Sequence, residues 1–320
     1  MLLAKKLINR YRIWLICIIA FIIVPLFKPA FISMNNIEGI LTSMVTYGIV
    51  ALGLTMTLIT GEINISIGAV MAFSSVTFAV CMRTMPIIVS VVIALVGAAL
   101  FGLVDGYFVA YKKLPAFMVS VAVMVTVRGV ALAVSGEAPV GIESDTIAGI
   151  GRLQIIHIPV LFLFLLFCVF VLEVFLKRTQ TGRNMYAVGG APDVAAAYGL
   201  KVEKYKCLSL TFCSFMAGLG GILLAIRMCS GSPSVGEDAM PSVLPMIVIG
   251  GTSISGGKGG MIKTLSGIFL MNLIFNIMSM FNIYVNVQNL IKGGILLAIV
   301  ITDRYLENKN KKIQFYQKGR

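Results

Sequence analysis

The sequence is poor in charged residues. Asp, Glu, Lys and Arg together make up 12% of its 320 residues, about half of the roughly 25% typical of soluble globular domains. Hydrophobic residues make up 58% and the mean hydropathy is +0.98. This shortage of charge excludes a water-soluble protein of this length. The chain must use lipid as its solvent and must act across or within a bilayer.

Catalytic and metal-binding motifs are also lacking. The six cysteines lie in or beside apolar runs without a C-x-x-C pair, so they predict packing residues rather than a zinc site or a disulfide framework. The single histidine, His157, has no carboxylate near it in sequence, and neither H-E-x-x-H nor G-x-S-x-G occurs. No metal, cofactor or enzymatic activity is predicted.

A nucleotide-binding loop is missing as well. The run Gly256-Gly257-Lys258 suggests a phosphate loop, but Thr252 stands where the first Walker A glycine belongs. Gly259 follows Lys258 where Ser or Thr is required. No ATPase can be assigned to this chain.

The apolar residues fall into ten runs, most of them close to the roughly 20 residues that cross about 30 Å of hydrocarbon as a helix. The period-two alternation of a membrane β-barrel is absent. The predicted fold is one all-α, polytopic transmembrane domain over residues 1–320, with its core at 13–302. The eighth run is short and rich in Gly and Ser, which is typical of a broken or re-entrant helix. The predicted spans are 13–27, 40–60, 63–82, 86–110, 115–134, 158–176, 207–228, 240–255, 261–281 and 287–302.

The distribution of Lys and Arg predicts the orientation. With a cytoplasmic N-terminus and ten crossings, 20 of the 26 Lys and Arg residues fall inside, including a basic tail at 303–320. The positive-inside rule therefore favours ten spans with both termini cytoplasmic. The net charge of +13 is explained by cytoplasmic loops beside anionic headgroups, so nucleic acid is not an expected partner. The outer loops carry acids instead: Glu137, Glu143, Asp145, Glu237 and Asp238.

Two long polar segments interrupt the spans. Residues 135–157, on the outside, are expected to form an exposed loop. Residues 177–206, on the cytoplasmic side, contain a predicted short helix that Pro192 begins and Gly199 ends. This second segment is either a solvated connector or a docking element for another protein.

Two glycine- and serine-rich hairpins, 60–68 and 250–260, lie within membrane reach. Their loose likeness suggests an internal repeat of the kind found in transporters. Their glycines either let a non-helical backbone line a wet pathway or let helices pack closely. The candidate pathway residues are Gly61, Glu62, Asn64, Ser66, Gly68, Gly250, Gly251, Thr252, Ser253, Gly256, Gly257 and Gly259.

Ionisable residues inside spans are candidates for function. Asp105 lies about 10 Å from the inner boundary, at 1.5 Å per residue, where it would pair with a basic group or carry protons. Arg128 and Arg227, near outer ends, are expected to snorkel to water. Glu62, at a cytoplasmic turn, is expected to be hydrated.

Three ordered motifs resemble those of ribose-type ABC importer permeases. The first, Gly53-Leu54-Thr55 through Gly61 and Asn64-Ile65-Ser66-Ile67-Gly68, is similar to that family's G-M-T…G-G-I-D-L-S-V-G. The second, 181–190, resembles T-x-x-G-R-x-x-Y-A-x-G-G and continues to Lys204. The third, 248–259, resembles V-x-G-G-T-S-x-x-G-G-x-G.

The resemblance implies a permease subunit of the bacterial cytoplasmic membrane. It would import ribose, a related pentose or hexose, or an autoinducer-2-like signal sugar by alternating access. The implied partners are ABC ATPase subunits on the cytoplasmic face, an extracytoplasmic solute-binding protein and a second permease chain. The 181–190 loop and the helix after it would couple to the ATPase through Thr181, Gly182, Arg183, Asn184, Tyr186, Gly189, Gly190, Ala195, Ala196 and Gly199.

Departures from the family pattern keep alternatives open. Glu62-Ile63-Asn64 replaces the usual Gly-Ile-Asp, Asp105 replaces Asn or a small residue, and Pro245 lies in the eighth span. These changes suggest an atypical ligand or a heteromeric pore. The alternatives are an ion-coupled secondary transporter that uses Asp105 and an ABC permease for a non-sugar solute such as a branched-chain amino acid.

Overall fold

The computed structural model describes residues 2–155, 157–299 and 301, with side chains from Trp14 onward except that of Ile16. The predicted tail at 303–320 lies outside these residues. The described part is almost entirely helical. Its thirteen α-helices are α1 Leu2–Phe27, α2 Met34–Ile59, α3 Ile67–Cys81, α4 Ile87–Ala110, α5 Ala116–Ser135, α6 Asp145–Arg152, α7 Val160–Arg178, α8 Gln180–Gly190, α9 Pro192–Ala197, α10 Val202–Met228, α11 Ala239–Gly250, α12 Met261–Met280 and α13 Val285–Ile299.

The strands are two residues long. β1 Val140–Gly141 pairs antiparallel with β4 Ser230–Gly231, and β2 Gln154–Ile155 pairs antiparallel with β3 Ile158–Pro159. A 3-10 turn at Pro29–Ile32 joins α1 to α2. These small elements shape connections and do not form a core sheet.

Six helices are long and apolar enough to cross a membrane: α2, α4, α5, α7, α10 and α12. Four shorter apolar helices coincide with the remaining predicted spans. They are Cys17–Phe27 within α1, together with α3, α11 and α13. The protein is therefore a polytopic all-α membrane protein, as its composition predicts.

Contacts between connections divide the molecule into two ends. At one end, named the α8 end, Glu62 pairs with Lys206 and the Met261 amide reaches Glu173. The opposite end, named the α6 end, joins other connections through three kinds of contact. These are the Asn36–Asn276 hydrogen bonds, the Glu38–His157 pair and the β1–β4 ladder. The connections before and after α2 therefore lie at opposite ends, as they must if α2 crosses a bilayer.

Helix α10 lies at the centre of the fold and packs against α2, α3 and α4. Its small residues let neighbouring backbones approach closely. A Cβ on Gly221 would lie 2.2 Å from the Met71 carbonyl oxygen, and one on Gly220 would lie 2.6 Å from a Val50 methyl group. Close approach at small residues is a principal means of packing helices in lipid, where helix association gains little from the hydrophobic effect.

Helices α3 and α11 are too short to span the hydrocarbon alone. Helix α3 has 15 residues and α11 has 12, which at 1.5 Å per residue give about 22 Å and 18 Å against about 30 Å of hydrocarbon. The N-terminal ends of the two helices meet inside the fold, where a Cβ on Gly68 would lie 2.0 Å from the Gly236 carbonyl oxygen. Non-helical backbone at this depth is tolerated because it is buried in protein.

Two expected loops are more ordered than predicted. Residues 181–190 form most of helix α8, which Thr179 begins by accepting a 3.1 Å hydrogen bond from the Gly182 amide. The outer segment contains α6, whose Ile147 is fully buried. The predicted helix at Pro192 is confirmed as α9, and Gly199, at φ +80°, follows its end.

Candidate coupling and translocation sites

Two hydrogen bonds fix helix α8 to its neighbours. The Asn184 side-chain amide donates to the Tyr205 hydroxyl at 2.6 Å, and the Tyr186 hydroxyl donates to the Gly259 carbonyl oxygen at 3.1 Å. Burial, and then the negative charge of Glu173, raise the pKa of Tyr186 to about 12. The raised pKa keeps the Tyr186 phenol protonated even at alkaline pH, so it remains a donor to the α11–α12 loop.

Three of the predicted motifs meet in backbone-to-backbone contact. A Cβ on Gly189 would lie 1.8 Å from the Ile59 carbonyl oxygen, which also accepts a 2.9 Å hydrogen bond from the Gly257 amide. A Cβ on Gly256 would lie 2.5 Å from the Gly189 carbonyl oxygen and 3.1 Å from the Gly61 Cα. This cluster, named the glycine junction, comprises Ile59, Gly61, Gly189, Gly190, Gly256 and Gly257.

Helix α9 presents apolar side chains to solvent. Tyr198 is 84% exposed and Val194 is 55% exposed, whereas Ala195 is 5% exposed and anchors the helix. A shallow groove of about 470 Å³ runs between α8 and α9. This α9 groove is lined by Tyr186, Ala187, Gly190, Ala191, Val194, Ala195, Tyr198 and Leu200.

The other predicted coupling residues lie on the same two helices. Arg183 is exposed, and its guanidinium donates to the Arg178 carbonyl oxygen at 3.2 Å. Ala196 is exposed and Thr181 is half-buried. Gly182 is buried, and a Cβ there would lie 2.4 Å from the Leu176 carbonyl oxygen, so it permits the tight turn from α7 into α8.

The first hairpin is buried against α10. Asn64 accepts hydrogen bonds from the Ser66 amide at 2.8 Å and hydroxyl at 2.7 Å, and donates to the Ser214 hydroxyl at 3.3 Å. Glu62 forms a 2.6 Å ion pair with Lys206. The expectation that Glu62 is hydrated was therefore wrong: its side chain is 14% exposed because the N-terminal turns of α10 cover it.

The second hairpin is a compact turn between α11 and α12. Gly251, at φ +101°, ends α11, and the Ser253 amide donates to the Lys258 carbonyl oxygen at 3.0 Å. Gly250 packs against α12, where a Cβ would lie 2.4 Å from the Lys263 carbonyl oxygen. Gly259 contacts the Thr252 side chain.

Glu173, near the end of α7, joins the α7–α8 turn to α12. Its carboxylate accepts hydrogen bonds from the Met261 amide at 2.7 Å and the Ile262 amide at 3.4 Å, and it pairs with Lys177. A carboxylate at the N-terminus of α12 also interacts favourably with the helix dipole. Sequence reasoning missed this contact, although an acid inside an apolar run is a signal for a buried partner.

The expectations for the ionisable residues in spans need two corrections. Asp105 is fully buried, but neither carboxylate oxygen has a hydrogen-bond partner among the described residues, so it does not pair with a basic group. Arg128 does not simply snorkel to water. Its guanidinium donates to the Pro233 carbonyl oxygen and, at 2.9 Å, to that of Val235. Arg227 is exposed near the end of α10, as expected.

A polar cluster that the sequence analysis did not assemble lies where α2, α11 and α13 meet. The Asp238 carboxylate accepts hydrogen bonds from the Tyr47 hydroxyl, from the Lys292 ammonium at 2.8 Å and from the Ser242 hydroxyl at 3.3 Å. The available signal was Lys292, since a cation inside an apolar span requires a partner.

Among the described residues, no group of three or more His, Cys, Asp or Glu side chains could hold a metal ion. The six cysteines are free thiols, and Cys17, Cys168 and Cys213 are buried as packing residues. His157, 3.4 Å from Glu38, is 68% exposed and lies at the α6 end.

Comparison with known proteins identifies the family. A family model described as the permease component of branched-chain amino acid transport systems matches residues 36–300. The L-arabinose transport system permease protein AraH of Escherichia coli (strain K12) is 30% identical over 308 residues, which cover 95% of this chain and 93% of that protein. No solved structure matches the chain.

Two further relatives extend the same match. The L-arabinose ABC transporter permease protein AraH of Azospirillum brasilense is 30% identical over 97% of this chain and 91% of its own length. The ribose import permease protein RbsC of Bacillus subtilis (strain 168) is 30% identical over 88% of this chain and 89% of its own length. The match therefore covers nearly the whole membrane domain, and this chain belongs to the family of permease components of ABC transport systems.

Proposed function

We propose that this chain is the membrane-spanning permease subunit of an ABC importer for a sugar-type solute, ribose or a related monosaccharide. Alternating access, driven by ATP hydrolysis in a partner subunit, moves the solute across the bacterial cytoplasmic membrane. The chain supplies the pathway and the docking surface and has no nucleotide site of its own. The sugar class rests on the names of its relatives, which are L-arabinose and ribose permeases.

The coupling proposal rests on two features that occur together: apolar side chains exposed at the α9 groove, and close backbone contacts at the glycine junction. The α9 groove exposes Tyr198 and Val194 at one end of the molecule. The glycine junction connects α8 directly to the backbone between α2 and α3 and to that between α11 and α12. An ATPase that displaces α9 and α8 therefore also displaces α3 and α11, which are too short to cross the membrane alone. Opening the pathway by a rocking motion requires such coupled movement.

The proposed topology has ten crossings with both termini in the cytoplasm. The α8 end then faces the cytoplasm and the α6 end faces outward. This orientation places Lys177, Arg178, Lys201, Lys204 and Lys206 inside, as the positive-inside rule requires. The ATPase docks at the α8 end, and the solute-binding protein delivers solute at the α6 end.

A second permease chain completes the pore. The apolar face that would meet it, or the lipid, includes exposed residues of α4, such as Ile88, Val92, Leu100 and Leu103. The composition of the purified complex shows whether the pore pairs two copies of this chain or two different permeases.

The branched-chain amino acid alternative draws only on the description of the family model, and the relatives with the specific sugar names favour a monosaccharide. The ion-coupled alternative requires a connected set of ionisable groups. Asp105 is fully buried, and neither carboxylate oxygen has a hydrogen-bond partner within the described residues, so its contacts supply no such path.

The docking proposal is tested by co-purification of the ATPase with Tyr198→Ala. Loss of the exposed ring removes apolar area from the groove contact, and we expect the retained ATPase to fall at least fivefold. Tyr284→Ala is the matched control because Tyr284 is 83% exposed at the opposite end. Equal retention of the ATPase by both variants would remove the α9 groove from the interface.

The solute class is tested in liposomes that contain the permease, its ATPase and its binding protein. ATP-driven uptake of labelled D-ribose, L-arabinose or another monosaccharide is expected, and uptake of leucine is not. Leucine uptake without monosaccharide uptake would replace the sugar assignment with the branched-chain alternative.

A further inference from the structure

We infer that Asp238 is a solute-contacting residue of the translocation pathway, whose carboxylate accepts hydrogen bonds from the hydroxyl groups of a neutral sugar-type solute. Tyr47 and Lys292 are its positioning residues. The inference rests on the proposed transport function and adds to it a specific site, at the junction of α2, α11 and α13.

The carboxylate is held in one orientation. One oxygen accepts from the Tyr47 hydroxyl, and the other accepts from the Lys292 ammonium at 2.8 Å and the Ser242 hydroxyl at 3.3 Å. Lys292 is itself fixed, because its ammonium lies 5.0 Å from the centroid of the Phe275 ring. Three side chains from three helices thus fix the orientation of the Asp238 carboxylate. A solute in the pathway could therefore bind the carboxylate without changing its position.

The cluster lies below the surface of the α6 end. Tyr47 is the fourteenth of the 26 residues of α2, about 20 Å along the helix from its first residue at 1.5 Å per residue. Lys292 is seven residues into α13, about 10 Å from its start. These positions are within the apolar runs of both helices, at the depth of the hydrocarbon.

Despite this depth, the side chain of Asp238 is 42% exposed, whereas that of Lys292 is 13% exposed. An ionised carboxylate that faced lipid at such a depth would be very costly, so polar side chains there face a water-filled cavity. The open side of Asp238 therefore lies on the pathway. A carboxylate has about four lone-pair directions and the cluster uses three, which leaves acceptor capacity for a solute hydroxyl.

The charges around the site balance, which favours a neutral ligand. Lys292 compensates Asp238 directly. A polyhydroxyl solute can hydrogen-bond to such a pair without an uncompensated charge, whereas a charged solute would leave one.

The test is ATP-driven uptake by the complete complex in liposomes, with labelled D-ribose and L-arabinose as probes and ATP hydrolysis measured in parallel. We expect Asp238→Asn to lower uptake at least tenfold while basal ATP hydrolysis stays within twofold of the wild type. We expect Tyr47→Phe, which removes one positioning bond, to lower uptake threefold to tenfold. Glu237→Gln, the adjacent acid outside the cluster, is the matched control and should transport normally.

The outcomes separate this inference from the proposed function. If the wild-type complex moves no monosaccharide, the proposed function fails first. If the wild type transports and Asp238→Asn transports equally well, the inference is overturned. It is also overturned if Asp238→Asn and Glu237→Gln lose uptake alike, or if Asp238→Asn separates the two permease chains while its intact complexes transport normally. Tyr47→Phe guards against a folding defect, since it keeps the ring and removes only the hydroxyl.

Discussion

The two longest polar connections of the molecule lie at opposite ends and are held by different kinds of contact. At the α8 end, backbone meets backbone at Gly189 and Gly257. At the α6 end, the segment 136–159 contains three glycines with open space around them. A Cβ on Gly136, Gly141 or Gly149 would meet no neighbouring atom of the described residues within 4 Å. That segment is held by the two-residue β1–β4 ladder, by the buried Ile147, by a side-chain hydrogen bond from Gln154 to Glu38 and by the Glu38–His157 pair.

This difference suits two different partners. A contact between backbones without intervening side chains cannot adjust by a change of rotamer. A displacement of α8 and α9 is therefore transmitted to α3 and α11. Exposed side-chain pairs are weak and adjustable, so the α6 end can adapt to a protein that binds and leaves.

The largest effect is expected from Gly257→Ala measured against Gly136→Ala. Both glycines have positive φ, +70° and +64°, so each substitution costs about 1–2 kcal/mol in backbone strain. A Cβ on Gly257 would in addition lie 2.6 Å from the Gly190 Cα, and such overpacking costs a further ~1–3 kcal/mol. The thermal unfolding midpoint in detergent should therefore fall at least twice as far for Gly257→Ala. Equal shifts would mean that the glycine junction is not tight.

An intermediate effect is expected from the ion pair between Glu62 and Lys206. Glu62→Gln weakens a 2.6 Å charge-assisted hydrogen bond between side chains that are 14% and 25% exposed, and should cost about 1–3 kcal/mol. The double variant Glu62→Gln, Lys206→Met should recover part of this loss because no unpaired ammonium remains. Thermal unfolding of the single and double variants measures the coupling, and strictly additive losses would show that the pair contributes nothing.

The smallest effect is expected at the α6 end. Glu38→Gln weakens a 3.4 Å pair with His157, whose side chain is 68% exposed, and such surface pairs contribute about 0–1 kcal/mol. The thermal unfolding midpoint should fall less for Glu38→Gln than for Glu62→Gln. Adding salt should change the midpoint of Glu38→Gln little. A shift as large as that of Glu62→Gln would contradict the view of this end as weakly held.

Much of the fold could be predicted from the sequence because lipid imposes simple rules. An apolar run of about 20 residues must be a helix, and all ten predicted runs coincide with apolar helices. Helix α9 was also predictable, since Pro192 and Gly199 mark its ends. Helix α8 was missed because Gly182, Gly189 and Gly190 disfavour helix by propensity. Tertiary contacts at the glycine junction outweigh that preference.

The candidate sites were predictable in part. The glycine hairpins and the segment 177–206 were singled out from the sequence, but their convergence at Ile59 depends on a fold that brings together residues about 130 and 200 positions apart. Asp238 was assigned to an outer loop. Its partners Tyr47 and Lys292 lie 191 and 54 residues away in sequence. Because α11 is short, Asp238 at its start lies at a membrane depth that the hydropathy of the sequence does not predict.

The most direct test is whether the glycine junction transmits motion from the ATPase to the pathway. Uptake of a labelled monosaccharide and ATP hydrolysis are measured together in liposomes for complexes with Gly189→Ala, with Gly149→Ala as the control because that position has room for a Cβ. Among complexes that assemble with the ATPase, Gly189→Ala should still hydrolyse ATP but import at least tenfold less solute, while Gly149→Ala should import normally. Import at the wild-type rate by Gly189→Ala would contradict this transmission of motion.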